Sequence, residues 1–141
     1  MRARTRRRVH ELGLTDCVEL PFLEREVLRA VYDRCGLLLL TSDREGYGLP
    51  VLEAFAAGKP VVATDIPAFR ESSGGLATFA SPHSLSDWIQ AVERELGTPD
   101  AGGARAAARR ARAAASTWDS HVRGLLPIYA GLLESKGAPG R

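Results

Sequence analysis

Cysteine and histidine are scarce in this 141-residue sequence, and their scarcity excludes two kinds of site. The two cysteines, Cys17 and Cys35, are too few for a disulfide framework. Neither has a second cysteine or a histidine at the spacing of metal ligands, and the three histidines lie far apart. We expect buried, reduced thiols, histidines at the surface or at helix caps, and no metal site.

Long apolar runs are also absent. No stretch approaches the ~20 apolar residues that a membrane-spanning helix needs, and the N-terminus lacks an apolar secretion signal. Hydrophobic residues at 45% and charged residues at 26% are typical of a globular chain rather than a disordered one. We therefore expect a cytoplasmic protein with one domain over residues 1–135 and a frayed tail over residues 136–141.

Basic residues are almost all arginine, and they are clustered although the net charge is only +2. One cluster lies within the first eight residues and the other within residues 105–112. Such clusters are typical either of binding to nucleic acid or an anionic membrane, or of a solvated helix face. Aromatic residues are not interleaved with these arginines, so we predict no nucleic-acid partner.

Helical and strand patterns alternate along the chain. The predicted helices are residues 1–12, 24–35, 51–57, 85–96, 104–115 and 118–133; the predicted strands are residues 17–20, 37–40, 60–64 and 76–80. Alternation of this kind favours a parallel sheet with helices on both faces. The run at 37–40 is continuously apolar, which predicts a strand buried on both faces. Ligands of such folds bind at the carboxyl ends of the strands.

The segment 41–54 follows the strand at 37–40 and opens a helix. Gly46 and Gly48 allow positive φ and close approach to a ligand, and the start of the helix suits a phosphate. Glu45 and Glu53 carry carboxylates, which are good acceptors for sugar hydroxyls. These features predict a ligand with both phosphate and polyol groups. Alternatively, the loop is only a tight turn, with Glu45 at the helix dipole and Glu53 an ordinary surface residue.

Glu45 and Glu53 are separated by seven residues around Gly-Tyr-Gly-Leu-Pro. This arrangement resembles the E-x7-E motif of retaining glycosyltransferases of family GT4, and the flanking segments from about residue 11 to residue 133 are similar in order. The resemblance implies an α/β fold: a Rossmann-like three-layer domain with a parallel sheet, equivalent to the C-terminal half of a GT-B fold, and a helical C-terminal tail.

The resemblance also implies roles for the residues of this loop. Glu45 would be the catalytic residue, contacting hydroxyls of the donor hexose and stabilising the oxocarbenium-like transition state. Glu53 would hold the ribose hydroxyls of a nucleotide-sugar. The backbone amides that would bind sugar and phosphate oxygens belong to Gly46, Tyr47, Gly48 and Leu49. The implied reaction is hexosyl transfer with retention, without a metal or other cofactor.

The resemblance further implies partners of this chain. The family binds its acceptor mainly through an N-terminal domain that this sequence lacks, so we expect the chain to be the donor-binding part of an enzyme and inactive alone. Peripheral membrane association of the intact enzyme is a further expectation. Two alternatives stay open: a non-catalytic nucleotide-sugar-binding module or subunit of a split glycosyltransferase, and a purely structural α/β protein.

Apolar residues crowd the segment 118–132, which predicts an uncovered apolar face.

Overall fold

The computed structural model describes residues 3–20, 22–98, 100 and 103–136, and these fall into two units, Met1–Val31 and Tyr32–Arg141. The first unit contains helix α1 (Ala3–Glu11), after which Gly13 takes a φ of 63°. This agrees with the predicted helix and its glycine stop. Helix α2 (Arg25–Arg34) begins in the first unit and ends in the second.

The second unit is built on a three-stranded parallel sheet. Its strands are β1 (Leu38–Leu40), β2 (Val61–Thr64) and β3 (Thr78–Ala80), in the spatial order β1-β2-β3. Leu39 lies opposite Val62, and Ala63 lies opposite Phe79. Because all three strands run in one direction, their carboxyl ends meet at a single edge of the sheet, which is where the loops into the next helices begin.

Helices cover both faces of this sheet, as predicted. The helices of this unit are α3 (Leu49–Ala56), α4 (Pro67–Ser73), α5 (Leu85–Gly97), α6 (Ala104–Ala115) and α7 (Trp118–Lys136). Of these, α3, α4 and α5 pack against the sheet, and α6 packs on α3. Successive residues of β2 point to opposite faces. Val61 and Ala63 therefore pack with the side chains of α3 and α4, while Val62 packs with Ala91 of α5. The layers are helix, sheet and helix, which confirms the predicted α/β fold class.

An internal ion cluster joins α5 to α6. The Glu95 carboxylate accepts a hydrogen bond from the Thr78 hydroxyl at 2.6 Å and pairs with Arg105 at 2.7 Å and Arg109 at 3.4 Å. Arg109 is only 4% exposed. From the sequence, the second arginine cluster is expected either to bind nucleic acid or an anionic membrane or to form a solvated helix face. Both expectations were wrong for Arg109, because its guanidinium is used inside the fold. The charged partner that draws it in lies fourteen residues earlier, on another helix.

Three local predictions were wrong. Residues 17–20 form no strand, because a segment so short needs a neighbouring strand for its hydrogen bonds. Strand β1 is not buried on both faces: it lies at the sheet edge, and Leu39 is 47% exposed. Residues 65–75 carry no predicted helix, but they contain α4, which begins at Pro67 and ends before Gly74, a residue in the left-handed region.

The two cysteines differ in burial, and most of the predicted tail lies outside the described residues. Cys17 is exposed rather than buried because it lies in the irregular segment, whereas Cys35 is partly buried and its thiol donates to the Tyr32 carbonyl at 3.3 Å. Pro21, directly after the predicted strand at 17–20, and residues 137–141 of the tail predicted to fray lie outside the described residues. The division into a domain over 1–135 and a tail stays a prediction.

Helix α7 carries the apolar side chains that the sequence crowds into its segment. It continues through Pro127, and its exposed apolar residues are Trp118, Val122, Leu126, Ile128, Tyr129, Leu132 and Leu133. The predicted uncovered apolar face is therefore present. Within the described ranges, none of the helices combines the length and apolarity that crossing a bilayer requires.

Candidate functional site

The loop between β1 and α3 occupies the carboxyl edge of the sheet, where the sequence predicts a ligand. Its last residue, Gly48, has φ 87° and ψ 36°, and it is the N-cap residue of α3. A Cβ atom built on Gly48 would lie 2.6 Å from Ser72 Oγ and 3.3 Å from Phe69 Cδ1. Only glycine fits here, because the backbone is left-handed and also lies directly against α4.

Gly46 differs from the prediction for this loop. Its φ is not positive, and a Cβ on it would meet nothing within 4 Å. The predicted positive φ is therefore found at Gly48 and not at Gly46. The Gly46 amide donates to Glu45 Oε1 at 3.1 Å, so a substrate oxygen would have to replace this carboxylate for Gly46 to bind it.

The N-terminus of α3 is open among the described residues, because no side chain caps it. Gly48 has no side chain to offer, and Pro50 lies in the first turn. The Val51 amide donates to the Gly48 carbonyl at 3.0 Å. Leu49 is 52% exposed. A helix end of this kind presents partial positive charge to solvent, which favours an anion in front of it.

Glu45 precedes this helix end in the chain, and Glu53 follows it. Glu45 is exposed in the loop, and Glu53 is exposed in the second turn of α3. Since a helix rises about 1.5 Å per residue, Glu53 lies about 6 Å along the axis from Leu49. In the chain, one carboxylate therefore comes before the helix end and the other comes after it.

Glu53 has a protein partner that the sequence did not indicate. The Tyr32 hydroxyl, on α2, donates to Glu53 Oε2 at 2.9 Å. Partial burial of the phenol raises the pKa of Tyr32, and its hydrogen bond to the Glu53 carboxylate raises it further. The interaction orients the carboxylate, and an ionised carboxylate still has room for further hydrogen bonds.

Tyr32 lies at an apolar position of the helix predicted at 24–35. It packs against the core formed around Val51 and Phe55 while its hydroxyl stays polar. A tyrosine on the inward face of a helix usually finds a partner for its hydroxyl, and that general rule was the available signal. Nothing in the spacing of Tyr32 indicated that the partner is Glu53, 21 residues away.

Asp65 and Arg70 form a second polar group at this edge of the sheet. Asp65 follows β2, and Arg70 on α4 donates to both of its carboxylate oxygens, with the Nη2–Oδ2 distance 2.7 Å. The Arg70 guanidinium also lies 4.7 Å from the centre of the Phe79 ring. The hydrogen bond from Arg70 lowers the pKa of Asp65, and the same bond raises that of Arg70.

A cavity of about 470 Å³ adjoins the side chains of the loop. Its lining residues are Tyr47, Leu49, Ser116, Thr117, Trp118 and His121. The Tyr47 and His121 rings meet edge to face at 6.2 Å between centroids, and the Trp118 and His121 rings do so at 6.1 Å. These contacts place the start of α7 beside the loop between β1 and α3, called the donor loop below.

The described part of the chain also bears on metal binding. In those residues, no three side chains of histidine, cysteine, aspartate or glutamate lie close enough together to hold a metal ion. The predicted independence from metals and other cofactors stays a prediction.

Comparison with known proteins identifies the family. Residues 1–97 match the family described as glycosyl transferases group 1. The chain is 32% identical over 132 residues to the D-inositol 3-phosphate glycosyltransferase of Gordonia bronchialis. It is 34% identical over 97 residues to the O-antigen chain mannosyltransferase RfbU of Salmonella typhimurium. The chain therefore belongs to the group 1 glycosyltransferases, which confirms the resemblance seen in the sequence.

Coverage and fold complete the comparison. The matches span 92% and 66% of this chain but only 29% and 27% of those two relatives. Sucrose-phosphate synthase from Thermosynechococcus elongatus superposes with a TM-score of 0.77 at 23% identity, over 94% of this chain and 34% of that chain. This likeness supports the GT-B assignment of the fold. The roles of Glu45, Glu53 and the loop amides stay predictions.

Proposed function

We propose that this chain is the donor-binding part of a retaining glycosyltransferase that transfers a hexosyl group from a nucleotide-sugar. Membership in the group 1 glycosyltransferases supports sugar transfer. The observation that carries the proposal is the open N-terminus of α3 with Glu45 before it and Glu53 beyond it, at the carboxyl edge of a parallel sheet.

The proposed mechanism divides the ligand among three groups. The diphosphate binds at the N-terminus of α3, where the helix dipole favours negative charge. Glu53 accepts hydrogen bonds from the ribose hydroxyls. Glu45 accepts them from the hexose and stabilises the positive charge that develops at the reacting carbon. The amides of the loop 46–49 complete the site, and no metal is required.

The proposal predicts that Glu53→Ala weakens binding of a nucleoside diphosphate. Loss of hydrogen bonds to a charged acceptor is expected to cost about 1–3 kcal/mol, which is about a fivefold to 150-fold rise in Kd. Isothermal titration calorimetry with UDP, GDP and ADP measures this directly. Glu93→Ala is the matched control, because Glu93 is an exposed glutamate on α5, outside the site.

Two results distinguish the proposal from its alternatives. Equal affinity of the wild type and Glu53→Ala, with binding intact, contradicts the ribose role of Glu53. We also expect the 141-residue chain alone to bind donor without turnover, since acceptor positioning contributes about 7–11 kcal/mol to such reactions. Measurable transfer to a simple acceptor by the purified chain would contradict this part of the proposal.

A further inference from the structure

Glu53 carries an exposed carboxylate on a rigid stretch of backbone. It lies in α3 between Leu52 and Ala54, and both of these neighbours are buried in the core. The Glu53 side chain itself is exposed and has several rotatable bonds. A glutamate in this setting samples several rotamers, and holding one of them for a ligand costs conformational entropy. A partner that fixes the side chain before the ligand arrives removes that cost.

The phenol of Tyr32 is such a partner. Its hydroxyl donates to Glu53 Oε2 at 2.9 Å, which is a normal length for an O–H···O hydrogen bond. The Tyr32 ring is partly buried and packs against the core that contains Val51 and Phe55. The Tyr32 carbonyl accepts from the Cys35 thiol at 3.3 Å. The fold therefore holds both the ring and the backbone of Tyr32, and it sets the position of the hydroxyl without any ligand.

The protonation of Tyr32 suits this role. Partial burial of the phenol, and then its hydrogen bond to the Glu53 carboxylate, raise the pKa of Tyr32. The phenol therefore keeps its proton at neutral pH and stays a donor. An ionised carboxylate offers about four acceptor positions, and the bond from Tyr32 uses one of them. Acceptor positions are left for both hydroxyl groups of a ribose.

We propose that Tyr32 is a positioning residue for ribose recognition: its hydroxyl holds the Glu53 carboxylate in the orientation that accepts the ribose hydroxyls of the nucleotide. The inference rests on the function proposed above, in which Glu53 binds the ribose. Tyr32 acts through Glu53, and this role requires no contact between Tyr32 and the nucleotide. The effect of Tyr32 on affinity therefore depends on the presence of both the carboxylate and the ribose hydroxyls.

Tyr32→Phe tests this role because it removes the hydroxyl and keeps the ring that packs on the core. Isothermal titration calorimetry on the full chain measures the Kd of UDP, GDP and ADP. Saturation-transfer NMR adds their weaker 2′,3′-dideoxy counterparts, which lack both ribose hydroxyls. Fixing one flexible side chain changes a Kd about twofold to tenfold, so we expect a rise of that size for the ribonucleotide and none for its dideoxy counterpart. Tyr129→Phe is the matched control, since it removes the hydroxyl of an exposed tyrosine on α7.

A double-mutant cycle with Glu53→Ala shows whether the Tyr32 hydroxyl acts through the carboxylate. In the Glu53→Ala background, adding Tyr32→Phe should leave the Kd of the ribonucleotide unchanged. Tyr129→Phe should leave this Kd unchanged in both backgrounds. A hydroxyl with a purely structural role would lower the free energy of unfolding in urea and leave the discrimination between ribonucleotide and dideoxynucleotide unchanged.

Three results overturn the positioning role of Tyr32. They are an unchanged or lower Kd of the ribonucleotide in Tyr32→Phe, an equal rise for the dideoxynucleotide, and the same rise in the Glu53→Ala background. The proposed donor site fails in a different way. Absence of nucleotide binding, or equal affinity of the wild type and Glu53→Ala, overturns the ribose role of Glu53 and this inference with it. The two failures are distinguishable because Glu53→Ala alone reports on the donor site.

Discussion

Substitution of Gly48 by alanine is the sharpest structural test of the donor loop. Gly48 has a φ of 87°, and a Cβ there would lie 2.6 Å from Ser72 Oγ. Alanine therefore introduces two separate penalties, one from the left-handed backbone and one from contact with α4. The structure contains a glycine that isolates the first of them: Gly75 has a φ of 82°, and a Cβ on it would meet nothing within 4 Å.

The two penalties set the expected magnitude. A left-handed conformation costs an L-residue about 1–2 kcal/mol, and alanine recovers about 0.4–1 kcal/mol by restricting the unfolded chain. Gly75→Ala should therefore destabilise by about 1 kcal/mol. Overpacking against a tight neighbour adds about 1–3 kcal/mol. For Gly48→Ala we expect the free energy of unfolding to fall by about 2–4 kcal/mol.

Urea denaturation of the two variants and the wild type measures these values. Gly46→Ala serves as a second control within the loop, with an expected change inside about 0.5 kcal/mol, because Gly46 has neither positive φ nor a close neighbour. Combining Gly48→Ala with Ser72→Ala should recover part of the loss, since the closest atom is removed. A Gly48→Ala effect no larger than that of Gly75→Ala would refute the close approach to α4.

The remaining predictions concern stability away from the loop. Glu95→Ala leaves the buried Arg109 without its carboxylate and should lower the free energy of unfolding by about 3–5 kcal/mol in urea denaturation, with Glu93→Ala on the same helix nearly neutral. The pKa of Asp65 is lower in the folded protein than in the unfolded chain. Its contribution to the free energy of unfolding is therefore present above the unfolded pKa and is lost as pH falls through the folded pKa. Between pH 6 and pH 3, Asp65→Asn should therefore lose less stability than the wild type, by a small margin that salt reduces; equal losses would contradict the pairing with Arg70.

The fold was largely predictable because its elements carry local signals. The strand at 60–64 has a β-branched run, and the helices at 85–96 and 104–115 have strong periodicity or alanine content. The errors fall where tertiary pairing decides. Residues 17–20 have strand-like composition without a neighbouring strand, and the burial of β1 depends on its edge position, which no local pattern reveals.

The candidate site was predictable in part for a similar reason. Gly48, Glu45 and Glu53 lie within nine residues, so one loop and one helix start bring them together whatever the rest of the fold does. The contacts made by Glu53 and Tyr47 come from distant segments. Tyr32 reaches Glu53 from α2, and His121 reaches Tyr47 across 74 positions of the chain.

These distant contacts depend on where α2 ends and where α7 begins, and not on residue type alone. The Tyr32 ring packs on the core formed around Val51 and Phe55, and its hydroxyl reaches Glu53 on α3. His121 lies beside Tyr47 because α7 begins directly after α6, which is packed on α3. The motif supplies the carboxylates and the glycine, and the fold supplies the aromatic groups around them. Variants of Tyr32 and His121 should therefore change nucleotide affinity through Glu53 and Tyr47, although neither Tyr32 nor His121 belongs to the motif.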